Sequence, residues 1–207
     1  MLYDPLMKII CSFIVFAVLG GQSLIASANQ PLSRQLVDLY IIATEKLDAI
    51  EAKYPDVFAK SDEFTLSQEP ELIAFFEASK AYPEIKSMLI QSDFSNIKHY
   101  FDISTRIMGG VFSEQSSKLP LNLRSDNLLK GLDNNIKKFK NQGISAELIK
   151  IMEDELLIVK NDMAEMQLMI KRTSLEDKTF VKKNFKWMQS HLPFARDKGD
   201  NNENKNN

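Results

Sequence analysis

The sequence predicts an all-α fold, a single-domain helical bundle of about six helices, on three observations. Apolar residues recur at helical spacing along most of the chain, no segment alternates apolar and polar residues for long, and no Asn-Gly or Asp-Gly turn joins two β-branched runs. The 207 residues suit one domain, and with 44 % of them hydrophobic there is ample material for a core. A formal net charge of −2 carries neither the basic footprint of nucleic-acid binding nor the excess acid of a disordered, solvating chain.

Residues 1–28 are predicted to be a cleaved signal peptide. The apolar run Ile9 to Leu19 is eleven residues long, whereas a spanning helix needs roughly 20. Lys8 precedes the run, and Ala26 and Ala28 are small residues at the two positions a signal peptidase reads, which puts cleavage before Asn29. Asp4 dilutes the positive region of "MLYDPL", so Met7 is the better start. Cys11 is the only cysteine, lies early in the run and leaves with the leader. The expectation is a bacterial periplasmic or secreted protein with no stable membrane anchor after cleavage, no disulfide and no thiolate metal site. An uncleaved anchoring helix is the alternative.

Element by element, Leu32, Leu36, Tyr40, Leu47 and Ile50 share a face, and Pro55 ends that first helix at Tyr54. Pro70 belongs in the first turn of a second helix, with Glu69 and Glu71 at the positive end of its dipole. "YPEIKSMLIQ", from Tyr82, predicts a short third. Ser95 is expected to cap a fourth, with Ile97, Tyr100, Phe101, Ser104, Ile107, Met108 and Val111 as its buried stripe. Phe112 to Arg124, with Pro120 and several serines, is the expected long loop. Ser125 opens the next helix, which carries Leu128, Leu129, Leu132, Ile136 and Phe139 on one face and Gly143 in position for a left-handed C-terminal cap. Ser145 restarts the chain at once. From Ile149 the residues Met152, Leu156, Val159, Met163, Met166 and Ile170 follow at spacings of three and four, a seam of three heptads. Ser174 and Asp177 open a last helix bearing Phe180, Val181, Phe185, Trp187 and Met188. The domain therefore runs over 29–193, and the polar residues 194–207 are expected to form a disordered tail. "YPDVFAKSDEF" from Tyr54 and "YPEIKSMLIQSDF" from Tyr82 read as two similar helix starts, too few for a solenoid.

Chemistry is thinly marked. His99 and His191 belong to no ligand-spaced cluster, and there is no Gly-x-Ser-x-Gly elbow or Ser-x-x-Lys pair. No catalytic residue, metal site or cofactor is assigned, and the protein is not expected to be an enzyme. "MEDE", Met152 to Glu155, reads as a solvated helix face, and Asp102 with Arg106 as an exposed i,i+4 ion pair. Gly109 and Gly110 each cost about 1 kcal/mol in a helix interior, so they mark a helix stop, a close crossing or a hinge.

Met152, Met163, Met166 and Met169 concentrate flexible, polarizable side chains on the long helix, as adaptable binding surfaces do, with core packing as the alternative. Met152 and Met163 are expected in the core and Met169 partly exposed. "FTLSQ", Phe64 to Gln68, resembles the Leu-Thr-x-x-Gln motif of the Spy-like periplasmic stress chaperones over those five residues, with Phe in place of Leu. The resemblance implies chaperone-like holding of unfolded chains. The leading expectation is an interaction protein that binds a protein or peptide partner, and not nucleic acid, in an apolar groove lined by Met163, Met166, Met169, Phe185, Trp187 and Met188. The rival is a hydrolytic bundle or one holding non-covalent haem, with His191 and a methionine as axial ligands.

Overall fold

The computed structural model describes residues 30–120 and 125–192. The expected leader, its cleavage site and the polar tail lie outside the described residues. Among the described residues eight α-helices follow one another: α1 (Arg34–Glu51), α2 (Pro55–Ser61), α3 (Glu69–Ala78), α4 (Tyr82–Gln91), α5 (Ile97–Lys118), α6 (Ser125–Asn141), α7 (Ala146–Arg172) and α8 (Leu175–His191), with a 3₁₀ turn at Leu66–Gln68. Among the described residues there is no strand. The all-α class is as predicted; the helix count exceeds the expected six.

Two boundaries differ from the sequence reading for physical reasons. Helix α1 ends at Glu51, short of the expected Tyr54, and Pro55 begins a further helix, α2, because its fixed φ suits a first turn and Tyr54 before it leaves the helical region. The stretch from Phe112, expected to be a loop, continues α5 as far as Lys118. Phe112 to Ser116 are half-buried, and the Lys118 ammonium lies 4.0 Å from the centre of the Phe185 ring on α8. Tertiary packing thus outweighs the weak helix propensity of the serines.

Side-chain caps open four helices. Ser33, Ser145 and Ser174 each accept a hydrogen bond from the amide three residues on, at 3.2, 3.3 and 3.0 Å. Asn96 rather than Ser95 caps α5, accepting from the His99 amide at 2.8 Å; Ser95 instead donates its amide to His99 Nδ1. Helices α4 and α6 end in the same way, with a left-handed residue after the C-cap and a six-residue return bond: Phe94 N to Leu89 O at 2.9 Å, and Ile144 N to Phe139 O at 3.3 Å. Gly143 takes the left-handed position in one case, as predicted, and Asp93 in the other.

Helix α5 is the axis of the molecule, packed along α7 and α8 and touching α1 and α4. Its Ile103, Ile107 and Val111 meet Val37 of α1, Ile85 and Leu89 of α4, and Val181 and Met188 of α8 in the main core. Ile136 of α6 with Ile149 and Leu156 of α7 makes a second, smaller core, closed by Leu129, Leu132, Phe139 and Met152. The short link between α6 and α7 makes them an αα-hairpin. At about 1.5 Å per residue α7 is roughly 40 Å long, so one helix reaches from the smaller core to α5.

Candidate interaction surface

Gly109 and Gly110 lie inside α5 at its crossing with the end of α7 and with α8. A Cβ on Gly109 would come within 3.0 Å of Thr173 Oγ1 and the Met169 backbone, and one on Gly110 would sit 2.5 Å from Val181 Cγ2. The close-crossing reading of this pair is the one the geometry supports, and the helix does not stop there.

One turn before the glycines, Arg106 ties three segments together. Its Nε donates to Asp177 Oδ2 at 2.8 Å, one terminal nitrogen donates to Asp177 Oδ1 at 3.1 Å and to the Gln30 carbonyl at 2.7 Å, and Asp102 stands 3.4 Å from the other. Asp177, only 1 % exposed, also accepts the Leu32 amide at 2.8 Å. Burial opposes the Asp177 charge, but Arg106, the Leu32 amide and Ser174 outweigh it and hold the carboxyl below its ordinary value. The pair expected as an exposed Asp102–Arg106 bridge is therefore the edge of a largely buried knot, with Asp177 as the main acid.

A second polar group lies between α1 and α5. Tyr40 and Tyr100 stack at 5.3 Å, with Ser104 3.1 Å from the Tyr40 hydroxyl and Thr44 2.8 Å from that of Tyr100. Burial raises both phenols above their ordinary value, so they stay neutral. Neighbouring His99 is buried, with no hydrogen-bond partner at Nε2. Burial lowers its pKa; Asp102 opposes this with a smaller effect, and Arg106 adds the smallest, also downward. No cluster of metal-ligating side chains occurs among the described residues.

The six residues expected to line one groove fall in different environments. Phe185 and Met188 are core, the latter fully buried. Trp187 is half-buried on α8, beneath the Arg34 guanidinium at 5.1 Å and beside His191. Met163, Met166 and Met169 are all half-buried on α7, and the Met169 backbone abuts Gly109. A void of about 20 Å³ among Leu47, Phe76, Ile85, Met88 and Tyr100 is about the size of one water, but its lining is apolar and offers a water no partner. A shallow depression lies beside Pro31, Leu175 and Phe180. Neither contains any of the six.

The apolar surface instead gathers on the α6–α7 hairpin. Leu148, Ile151 and Ile158 are 48, 49 and 43 % exposed, and Ile144 and Leu157 are exposed with them. Adjacent apolar positions on α7 hide this stripe in the sequence: the heptad seam accounts for the helix's burial, and Leu148, Ile151 and Ile158 repeat in a register beside it, with Ile144 in the loop before α7. In the "FTLSQ" segment Gln68 Oε1 accepts the Thr65 amide at 3.1 Å, a capping arrangement, and Phe64 packs on Phe75 at 5.4 Å. That makes it a helix-start device before α3. The chain matches no protein-family model, no curated protein and no solved structure.

Proposed function

We propose that this chain is an exported, non-enzymatic interaction protein that binds a protein or peptide partner, with the α6–α7 hairpin as its docking element. Holding partly unfolded chains is one form such work takes. The observation that carries the reading is the run of exposed Leu148, Ile151 and Ile158 on a helix whose other face is already packed. An apolar stripe of this kind on a surface helix marks a contact face. Export rests on Lys8, the short apolar run, and Ala26 and Ala28.

A photo-crosslinking amino acid at position 151, in the native cells, tests the reading. Discrete adducts are expected from 151 and none from position 90, where a more exposed isoleucine lies on α4. Equal labelling at both positions, or none at 151, would reject the hairpin as docking element. Intact mass of the protein from the periplasmic fraction checks export, with Asn29 expected as first residue; membrane retention of Ile9 to Leu19 would reject it.

A further inference from the structure

We propose that the turn between α4 and α5, Ser92 to Asn96, is an acid-operated latch: a proton on His99 releases it and uncovers an aromatic, apolar surface beneath. The latch lies in the main core and does not depend on the hairpin reading.

His99 stands in the first turn of α5 and is only 4 % exposed. Its Nδ1 takes the Ser95 amide at 3.4 Å, with Ser95 Oγ at 3.3 Å, and the Phe94 ring packs on the imidazole at 5.3 Å. Because Nδ1 is the acceptor, the single ring proton sits on Nε2, a buried atom with no hydrogen-bond partner. A second proton makes Nδ1 a donor and sets it against the Ser95 N–H. Ser95 Oγ can still accept from it, but the Ser95 amide loses its acceptor, and the ring carries a charge where Nε2 already lacks one.

The charged neighbours do not relieve this. Burial opposes a proton on His99 most strongly, Asp102 favours it less, and Arg106 opposes it least. On the elements around the corner the charged groups are Asp93 in the turn, Lys46 of α1, 3.3 Å from Ser92 Oγ, Asp177 of α8, bound to Arg106, and Glu69 of α3, 3.7 Å from Lys98 of α5. None of them gives Nε2 a hydrogen bond.

The turn is the part that can yield. Asp93 holds φ at 59°, a conformation that L side chains adopt sparsely, and the turn is closed by the Phe94 amide on the Leu89 carbonyl at 2.9 Å. Phe94 is its plug, 2 % exposed and edge-on to Tyr100 at 5.5 Å. Tyr100 also lines the void with Leu47, Phe76, Ile85 and Met88, so packing on its far side is already incomplete. Swinging the turn outward hydrates His99 and bares Tyr100 and these neighbours, a surface on which an apolar segment of another chain can settle. An open turn takes the proton at the ordinary histidine value, about pH 6.5, and a closed one only at lower pH. The latch is therefore fully held above that value and loosens as the pH falls.

The test is hydrogen–deuterium exchange by mass spectrometry on the purified protein at about pH 7.5 and about pH 5, corrected for intrinsic exchange, with bis-ANS fluorescence alongside. The lower value stays above the ordinary titration of carboxylates. Protection of Leu89–Tyr100 should fall at least about fivefold at the lower pH and dye fluorescence should rise, while Val181–Met188 of α8 keeps its protection. His99→Asn puts an amide oxygen where Nδ1 stands and takes no proton, so it should abolish both changes, and His191→Gln should leave them intact. In the wild-type chain the His99 imidazole resonance should titrate with the same midpoint as the loss of protection, which keeps the test decisive if the Asn variant does not fold. Unchanged protection in the wild type, an equal loss in His99→Asn, a loss removed by His191→Gln or shared by α8, or midpoints that differ would overturn the proposal.

Discussion

The same substitution should have opposite signs at two glycines. Gly109→Ala must displace Thr173 and the Met169 backbone, an overpacking cost of about 1–3 kcal/mol, whereas Gly131→Ala meets open space and should add about 1 kcal/mol through helix propensity. Urea midpoints for the two variants check both signs. Asp177→Asn removes the main acid beside Arg106 and leaves a largely buried guanidinium underpaired, so a loss of about 3–5 kcal/mol is expected. At this scale the sequence was partly legible. Asp102 and Arg106 are four residues apart and visible as a pair, but the stronger partner Asp177 is 71 residues from Arg106 and only the tertiary fold brings it near.

Among the elements, the hairpin should be the least stable. Its small core holds three buried residues, so the amides of α6 are expected to exchange with deuterium faster than those at the centre of α5. Within α7, Leu156→Ala should cost about 2–5 kcal/mol because its side chain is buried. Ile151→Ser, on the exposed stripe, should stay within about 0.5 kcal/mol. Denaturant midpoints separate the two registers, and equal losses would show that the stripe is packed. Helix starts at Ser145 and Ser174 and the stop at Gly143 were readable because cap chemistry is local. The length of α5 was not, since Phe112 to Lys118 is held by α8 rather than by its own propensities. Nor was the groove from Met163 to Met188, because spacing reports a residue's face and not which helix covers it.

For the molecule as a whole, acid should act in two stages. His99 is held below its unfolded pKa by burial, so the unfolded chain binds its proton first; the His99 contribution is full above about pH 6.5 and falls as the pH drops below that value. The Asp177 carboxyl is also held low, but as an acid it contributes fully above about pH 3.9 and loses that contribution as the pH falls further. Chemical-denaturation stability measured from pH 8 to pH 3 should therefore decline gently and then steeply, and His99→Gln should flatten the first stage only. A decline of unchanged shape in that variant would assign the first stage to another group.

The hydrogen bond from the Leu32 amide to Asp177 joins residues 145 positions apart, and Arg34 reaches Asn184 and Trp187 in the same way. The first helix of the domain to be synthesised is thus fastened to the last. Until α8 has been made, the start of α1 lacks these partners and α5 has an uncovered flank, so no N-terminal piece ending before Leu175 should unfold cooperatively. Closure across so long a separation carries a loop-entropy cost that local helix formation does not. The domain should therefore gather its helices early and become a single cooperative unit only when its final seventeen-residue helix arrives.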